Sequence, residues 1–403
     1  MESHRCTRSG LVLFVLMVLA GARHTEQDSS DGIDPDCYRN VSSLIANKGY
    51  QVEEYEVTTS DGYILAVQRI PGGRSNALRI QDAPKKVVFL LHGLLGSSAD
   101  WVLNYPPQSL EIIVKDVGAG IWDAEFALMT YFYITQASRR MQGLVFHAPG
   151  VLASAVVTFL KQIPKTNGIL HARSSTLYFG YLLRIFYTGK IELFCALGPV
   201  SAITNTRSPM RYMSPFGKYI GAFVNFLGKY EFLPNNFVMK LLADAVCVYE
   251  GPRDVCGNIV FLICGPETRE LNVTRLPVFL CHVPAGTSVR AMVHYSQILI
   301  SGRFQKFDFG ENRNQLIYGM STPPEYDVSR VVVPVALFWS EGDWMADPRD
   351  VALLRRRLPN VVLDFKVSQP KFSHIDFAAG IHAKALVYEP MMKLMASYKS
   401  AGE

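Results

Sequence analysis

Lys86-Val87-Val88-Phe89-Leu90-Leu91-His92-Gly93-Leu94-Leu95-Gly96-Ser97-Ser98 is the stretch that decides how this chain folds. Its apolar part is continuous rather than alternating, which describes a strand covered on both faces. That is the habit of a parallel sheet packed between layers of helix. The run stops at His92-Gly93, and the loop that follows is rich in small residues. In open α/β sheets ligands bind beyond the carboxyl ends of the strands, so such a loop is a place to look for chemistry. Its backbone N–H groups can face a negative charge developing on oxygen. A tight glycine turn explains the same residues without any function.

Upstream, Glu53 to Pro71 (EEYEVTTSDGYILAVQRIP) alternates around a turn at Asp61-Gly62, which predicts two paired strands. Downstream, apolar runs recur at Ser175 to Phe179, Ile191 to Leu197, Val331 to Trp339 and Val361 to Val367. Between the last two, Asp347 to Leu358 reads as a helix. Asp347 caps it, Pro348 occupies its first turn and its arginines fall near the C-terminal end. Strands alternating with helices predict a doubly wound sheet. Residues 202–325 break the rhythm. There Phe216, Ile220, Phe223 and Leu227 recur at helical spacing. Ordinary packing of an inserted subdomain accounts for them, and the same face would suit an apolar substrate.

Composition narrows the class. An apolar fraction of 49% with 11% aromatics excludes intrinsic disorder, and 30 Gly with 22 Pro among 403 residues excludes collagen-like chains. A net charge of +5 is too weak for a nucleic-acid surface. Arg5 and Arg8 precede the apolar run Leu11 to Ala20, and Ala20-Gly21-Ala22 follows, so residues 1–22 read as a secretory signal peptide. Residues 23–36 read as a disordered mature N-terminus. No other stretch has transmembrane length, so no anchor is expected.

Export permits disulfides. Cys247 and Cys256 flank Gly251-Pro252 and are expected to close a small loop. Cys195 and Cys264 lie inside apolar runs and read as buried free thiols. Asn40-Val41-Ser42 and Asn272-Val273-Thr274 are glycosylation sequons.

Two late loops carry the chemistry. Ser340-Glu341-Gly342-Asp343 and Phe372-Ser373-His374-Ile375-Asp376 each follow an apolar run. An Asp and then a His at successive strand ends fit the order Ser…Asp…His of α/β-hydrolases. The Asp would orient the imidazole and the His would move the proton. Asp376 reads as a helix-capping carboxylate, although it lies near enough in sequence to tune the imidazole. The Gly-x-Ser-x-Gly elbow that should precede them is absent from the sequence. Gly286-Thr287-Ser288-Val289 ends in Arg290, and Ser97 and Ser98 lie in the wrong loop. Gly118-Ala119-Gly120 lacks the third glycine of a dinucleotide fingerprint. No zinc or P-loop motif occurs, and His147, His171 and His294 form no cluster.

Together these residues resemble the acid lipases, the family of animal gastric and lysosomal lipases. The likeness is carried by VSSLIANKGYQVEEYEVTTSDGYILAVQRIP, LLHGLLGSSADWVLN, LGKYEFLP, the Cys247/Cys256 pair, CHVPAGTSV, MVHYSQ, EGDWMADPRDV and FSHIDF. It covers about residues 34–117 and 191–396. The resemblance implies an α/β-hydrolase core of residues 37–201 and 326–403, with a mainly helical cap at 202–325. It makes Asp343 the triad acid, His374 the base and the Leu94 N–H an oxyanion donor.

The implied activity is hydrolysis of triacylglycerols or sterol esters at a lipid–water interface, without metal or organic cofactor, in a secreted or lysosomal setting. Residues 118–190 depart from the pattern. Ser175 to Gly180 looks like the strand before the elbow, yet the chain continues Tyr181-Leu182-Leu183-Arg184 and soon reaches Ile191. The core is therefore expected to be incomplete around the elbow, without the nucleophile serine. The alternative is a catalytically inactive relative that binds lipid.

Overall fold

The computed structural model describes residues 34–58, 64–71, 86–109, 124–131, 168–173, 191–216, 231–232, 263–265, 270–272 and 274–397. Its strands are β1 (Glu53–Thr58), β2 (Ile64–Ile70), β3 (Lys86–Leu91), β4 (Ala124–Tyr131), β5 (Gly168–Arg173), β6 (Ile191–Leu197), β7 (Glu231–Phe232), β8 (Thr287–Ser288), β9 (Val335–Trp339) and β10 (Val361–Lys366). Eight of them form one sheet in the order β1-β2-β4-β3-β5-β6-β9-β10. The expected hairpin is present: β1 pairs antiparallel with β2, from Glu53 opposite Arg69 to Thr58 opposite Ile64. From β4 to β10 every pairing is parallel. β7 and β8 make a separate antiparallel pair within the long connection from β6 to β9.

The continuous apolar runs are explained by two-sided burial. In β6, Leu193, Cys195 and Leu197 pack into one core cluster while Phe194 and Ala196 pack into another. In β9, Ala336 and Phe338 face the first cluster, and Val335 and Leu337 face the second. The helices α1 (Val41–Asn47), α2 (Leu276–His282), α3 (Val289–Ser301), α4 (Glu311–Tyr318), α5 (Pro348–Arg357), α6 (Asp376–Ala379) and α7 (Glu389–Ser397) lie around this sheet. The first cluster includes residues of α1, α2, α6 and α7; the second includes Tyr295 and Ile298 of α3 and Val351 and Leu354 of α5. Each fully buried aliphatic or aromatic side chain of this kind contributes about 1.5–3 kcal/mol, so both faces need cover.

Several boundaries differ from the sequence reading. β9 begins at Val335 rather than Val331, because Pro334 has no N–H to give a ladder. α5 starts as expected, with the Asp347 carboxylate accepting the Arg349 N–H at 3.0 Å. β4 and β5 arise from the stretch with the weakest sequence signal, and β5 takes its place between β3 and β6. The strand expected at Ser175 to Phe179 lies outside the described residues, as does the elbow segment after Arg173.

Of residues 23–36, expected to be disordered, Asp34 to Asp36 are ordered; residues 23–33 lie outside the described residues. Pro35–Cys37 forms a 3-10 turn capped by the Asp34 side chain. Asp34 and Asp36 are both ion-paired to Arg275, a cation 2% exposed, and Cys37 forms a disulfide with Cys281 of α2. Charge pairing and the bridge hold this polar segment where composition alone promised none.

Candidate active site

The acid loop runs from Ser340 at the end of β9 to Ala346. Asp343 is fully buried there. Its Oδ1 accepts the backbone N–H groups of Met345 at 2.8 Å and Ala346 at 2.7 Å. Its Oδ2 lies 2.7 Å from Nδ1 of His374, which follows β10 and is 6% exposed. A carboxylate can only accept, so Nδ1 carries the proton. That tautomer presents Nε2 as the basic nitrogen, the arrangement general-base chemistry needs. The two residues singled out on sequence grounds are thus brought together.

The surrounding backbone fixes the pair. The Cys264 carbonyl accepts the N–H of Trp344 at 3.2 Å and of His374 at 3.1 Å, tying the acid loop to the base loop. The Ser340 hydroxyl donates to the Phe372 carbonyl across the same gap. Gly198, directly after β6, lies beneath the pair with φ +54°. A Cβ there would sit 2.9 Å from Asp343 Oδ2 and 3.1 Å from His374 Nδ1. At Gly265, φ +140°, a Cβ would sit 2.2 Å from the Gly342 carbonyl oxygen. Both positions require glycine because the left-handed conformation and the close approach coincide.

The loop after β3 reaches the same edge of the sheet, since β3, β6, β9 and β10 run parallel. Gly96 N–H donates to the Gly93 carbonyl at 3.1 Å, closing a turn in which Leu95 adopts φ 64°. A non-glycine residue there is unusual and is held by its neighbours. One restraint is the Ala285 N–H, which donates to the Leu95 carbonyl at 2.7 Å. Within the described residues the Leu94 N–H makes no hydrogen bond.

Ser97 and Ser98 are structural. Ser97 and Asp100 form a capping box for the turn Ser98–Trp101, and the buried Ser98 hydroxyl donates to Gln68 at 2.7 Å. Ile375 lines a small cavity of about 60 Å³, which His374 does not line. Its other walls include Leu276, Phe279, Leu280, Val283 and Ala378.

Other singled-out residues are placed as follows. The fully buried Asp376, expected to cap a helix, is instead the first residue of α6, whose N-cap position is Ile375 without a side-chain cap; its carboxylate accepts the Ser373 N–H at 2.6 Å and braces the base loop. His294 is buried, with Nε2 on the Gln305 carbonyl at 2.8 Å. Cys195 is a buried free thiol, its pKa pushed up by burial, while Cys264, expected to be buried, is only half-buried and in no disulfide. Asn40 caps α1 from the surface, and Asn272 accepts from Thr274. Cys247, Cys256 and His147 lie outside the described residues, and His171 is placed only as a backbone position in β5. Among the described residues no group of His, Cys, Asp and Glu is arranged to hold a metal. No helix there is long and apolar enough to cross a membrane.

The sequence reading did not find Gly198, the Cys264 carbonyl or the Cys37–Cys281 bridge. A glycine directly after the β6 run signalled the first. Nothing signalled the bridge, whose cysteines are 244 residues apart.

Comparison with known proteins bears on the family and the fold. Residues 41–105 match the partial alpha/beta-hydrolase lipase region. Gastric triacylglycerol lipase of Rattus norvegicus is 34% identical, aligned over 96% of this chain and 98% of its own. Lysosomal acid lipase/cholesteryl ester hydrolase of Homo sapiens is 36% identical, over 91% of this chain and 93% of its own. The chain belongs to the acid lipase family.

Lipase lipl-1 of Caenorhabditis elegans, another similar protein, is 32% identical over 90% of this chain and 92% of its own. Among solved structures, the complex of DcsB with its substrate analogue has a TM-score of 0.50 at 12% identity, covering 87% of this chain and 100% of that one. Such a likeness speaks to the α/β-hydrolase fold alone. The alignment to the rat protein spans nearly the whole length of both chains.

Proposed function

We propose that this site is built for lipase-type hydrolysis of neutral lipid esters, triacylglycerols or sterol esters, through an acyl-enzyme. Asp343 is the acid that fixes the imidazole, His374 the base and Leu94 the donor of an oxyanion N–H. The observation that carries the reading is the 2.7 Å contact between Asp343 Oδ2 and His374 Nδ1 at adjoining strand ends. The Leu94 N–H supports it, since it can meet an oxyanion. Residues 202–325, inserted between β6 and β9, are proposed as the cap. The gastric and lysosomal relatives favour a secreted or lysosomal setting, with residues 1–22 as signal peptide and Asn40 and Asn272 as glycan sites.

The sequence contains no Gly-x-Ser-x-Gly, and this favours a second reading: a lipid-binding relative without turnover. Losing a triad serine leaves only roughly 10³–10⁴-fold acceleration over water. Since β5 ends at Arg173, the chain that follows reads Ser174-Ser175-Thr176 rather than an elbow motif. A fluorophosphonate probe followed by peptide mass mapping separates the two. Labelling of one serine, lost in His374→Ala, establishes the hydrolase. Absence of labelling with retained binding to triolein emulsions establishes the second reading.

A further inference from the structure

We propose that Arg207 is a positioning residue for Asp343, holding the acid loop in the shape that aims its carboxylate at His374. The inference rests on the hydrolase reading only for its catalytic consequence.

The segment after β6 carries donors that meet the outer side of the acid loop. Arg207 Nη2 donates to the Glu341 carbonyl at 2.7 Å and to the Asp343 carbonyl at 2.9 Å. Its Nε lies 3.0 Å from Oδ2 of Asp347, the residue that caps α5. Its own N–H donates to the Trp344 carbonyl at 2.9 Å, and the Thr206 hydroxyl donates to the same carbonyl at 2.7 Å. One side chain therefore spans the loop from its second residue to the cap of the next helix.

The inner side shows why this matters. Asp343 is held by the N–H groups of Met345 and Ala346, a contact that exists only while the backbone from 343 to 346 stays curled. On the outer side of that curl the carbonyls of Glu341, Asp343 and Trp344 each take a donor from the segment after β6. The guanidinium serves the first two through Nη2 while its Nε reaches Asp347, and the Arg207 N–H and the Thr206 hydroxyl serve the third; a lysine ammonium cannot copy the planar spread of Nη2 and Nε. Charge is matched as well. Burial raises the Asp347 carboxyl, but contacts with Arg349 and Arg207 overcome that and hold it below the ordinary carboxylate range.

Arg349 provides the internal control. It also grips Asp347, through Nε at 2.9 Å and Nη2 at 3.3 Å, but its remaining side-chain hydrogen bond goes to the Asn205 carbonyl rather than to the acid loop. A role in merely anchoring α5 would be shared by both arginines, whereas a role in aiming Asp343 belongs to Arg207.

The experiment uses the full chain and reads the low-field proton resonance of His374 Nδ1–H, assigned by its loss in His374→Gln. In Arg207→Ala the resonance is expected to move upfield and exchange faster with water, in Arg349→Ala to match the parent, and in Arg207→Lys to fall between. An unchanged resonance in Arg207→Ala, or an equal change in Arg349→Ala, overturns the proposal. Should Arg207→Ala fail to fold, Arg207→Lys decides, and a parental spectrum there overturns it. If the chain turns over ester, Arg207→Ala is expected to lower kcat roughly 10–100-fold with KM little changed, the size expected for misplacing a catalytic group. The spectrum is readable whether or not the chain hydrolyses anything, so failure of the hydrolase reading is seen separately in the labelling experiment.

Discussion

Two places in this molecule bury charge, and they do so in opposite ways. At the Arg275 site a cation is surrounded by compensating groups. Asp34 and Asp36 pair with it, the Leu103 carbonyl accepts its Nε at 2.8 Å, and Tyr105 lies 5.0 Å from its guanidinium carbon. The Cys37–Cys281 bridge and a hydrogen bond from His282 Nε2 to the Asp36 carbonyl at 2.7 Å close the same corner. At the Asp343 site the carboxylate is held mainly by backbone N–H groups, and its one titratable neighbour at hydrogen-bond distance is a histidine able to gain or lose a proton. A buried ion with fixed partners is a fastener. A buried ion beside a histidine is a reagent.

That contrast can be broken from either side. The largest effect is expected for Arg275→Met, which takes from Asp36 its buried partner and leaves it only the more exposed Arg39. Loss of about 3–5 kcal/mol in urea unfolding is expected, the size seen when one partner of a buried pair is removed. Next comes the double change Cys37→Ser, Cys281→Ser, expected to cost roughly 2–4 kcal/mol by freeing a long loop in the unfolded chain. In both cases the His374 Nδ1–H resonance should persist, because fastener and reagent are separate.

Gly198→Ala tests the other side. With φ +54° and a Cβ 2.9 Å from Asp343 Oδ2, it is expected to destabilise by about 1–3 kcal/mol and to abolish that resonance. A parental resonance in the alanine variant would show that the pair does not need the glycine.

The smallest effect is a pH dependence. Burial alone would raise the Asp36 carboxyl. Its hydrogen bonds and charge contacts with Arg275 and Arg39 more than offset this and leave it below its ordinary value of 3.8. A carboxyl depressed by folding adds stability that is fully present above that ordinary value and is lost as pH falls through the folded-state value. Urea midpoints of the parent and Asp36→Asn, measured from neutral pH downward, should therefore differ most near neutrality and converge below about pH 4. A difference that persists undiminished in acid would remove charge from the account.

The legibility of the chain followed the same physical line. β3, β6 and β9 could be read because burial on both faces leaves uninterrupted apolar text. The acid could be read because it stands one loop beyond such a strand, and the base because it stands one loop beyond the mostly apolar edge strand β10. β4 carries Glu125, and β5 is a six-residue strand that includes His171 and Arg173, so neither stood out as an apolar run. The Arg275 fastener was out of reach for a different reason. Its carboxylates lie 239 and 241 residues away in sequence, and only the folded sheet brings them together. The expected Cys247–Cys256 loop relied on nearness in sequence, whereas the bridge between Cys37 and Cys281 relies on nearness in space alone.

One carbonyl gives the insertion a meaning that its position between two strands does not suggest. Cys264 belongs to the inserted chain, yet its oxygen takes a hydrogen bond from each of the two loops that carry acid and base. The insertion is therefore not a detachable accessory laid over a self-sufficient machine. A shortened protein that kept every strand of the sheet and both reactive side chains would still lack the peg on which the two loops hang, and trimming for a minimal domain would disassemble the very corner it meant to isolate.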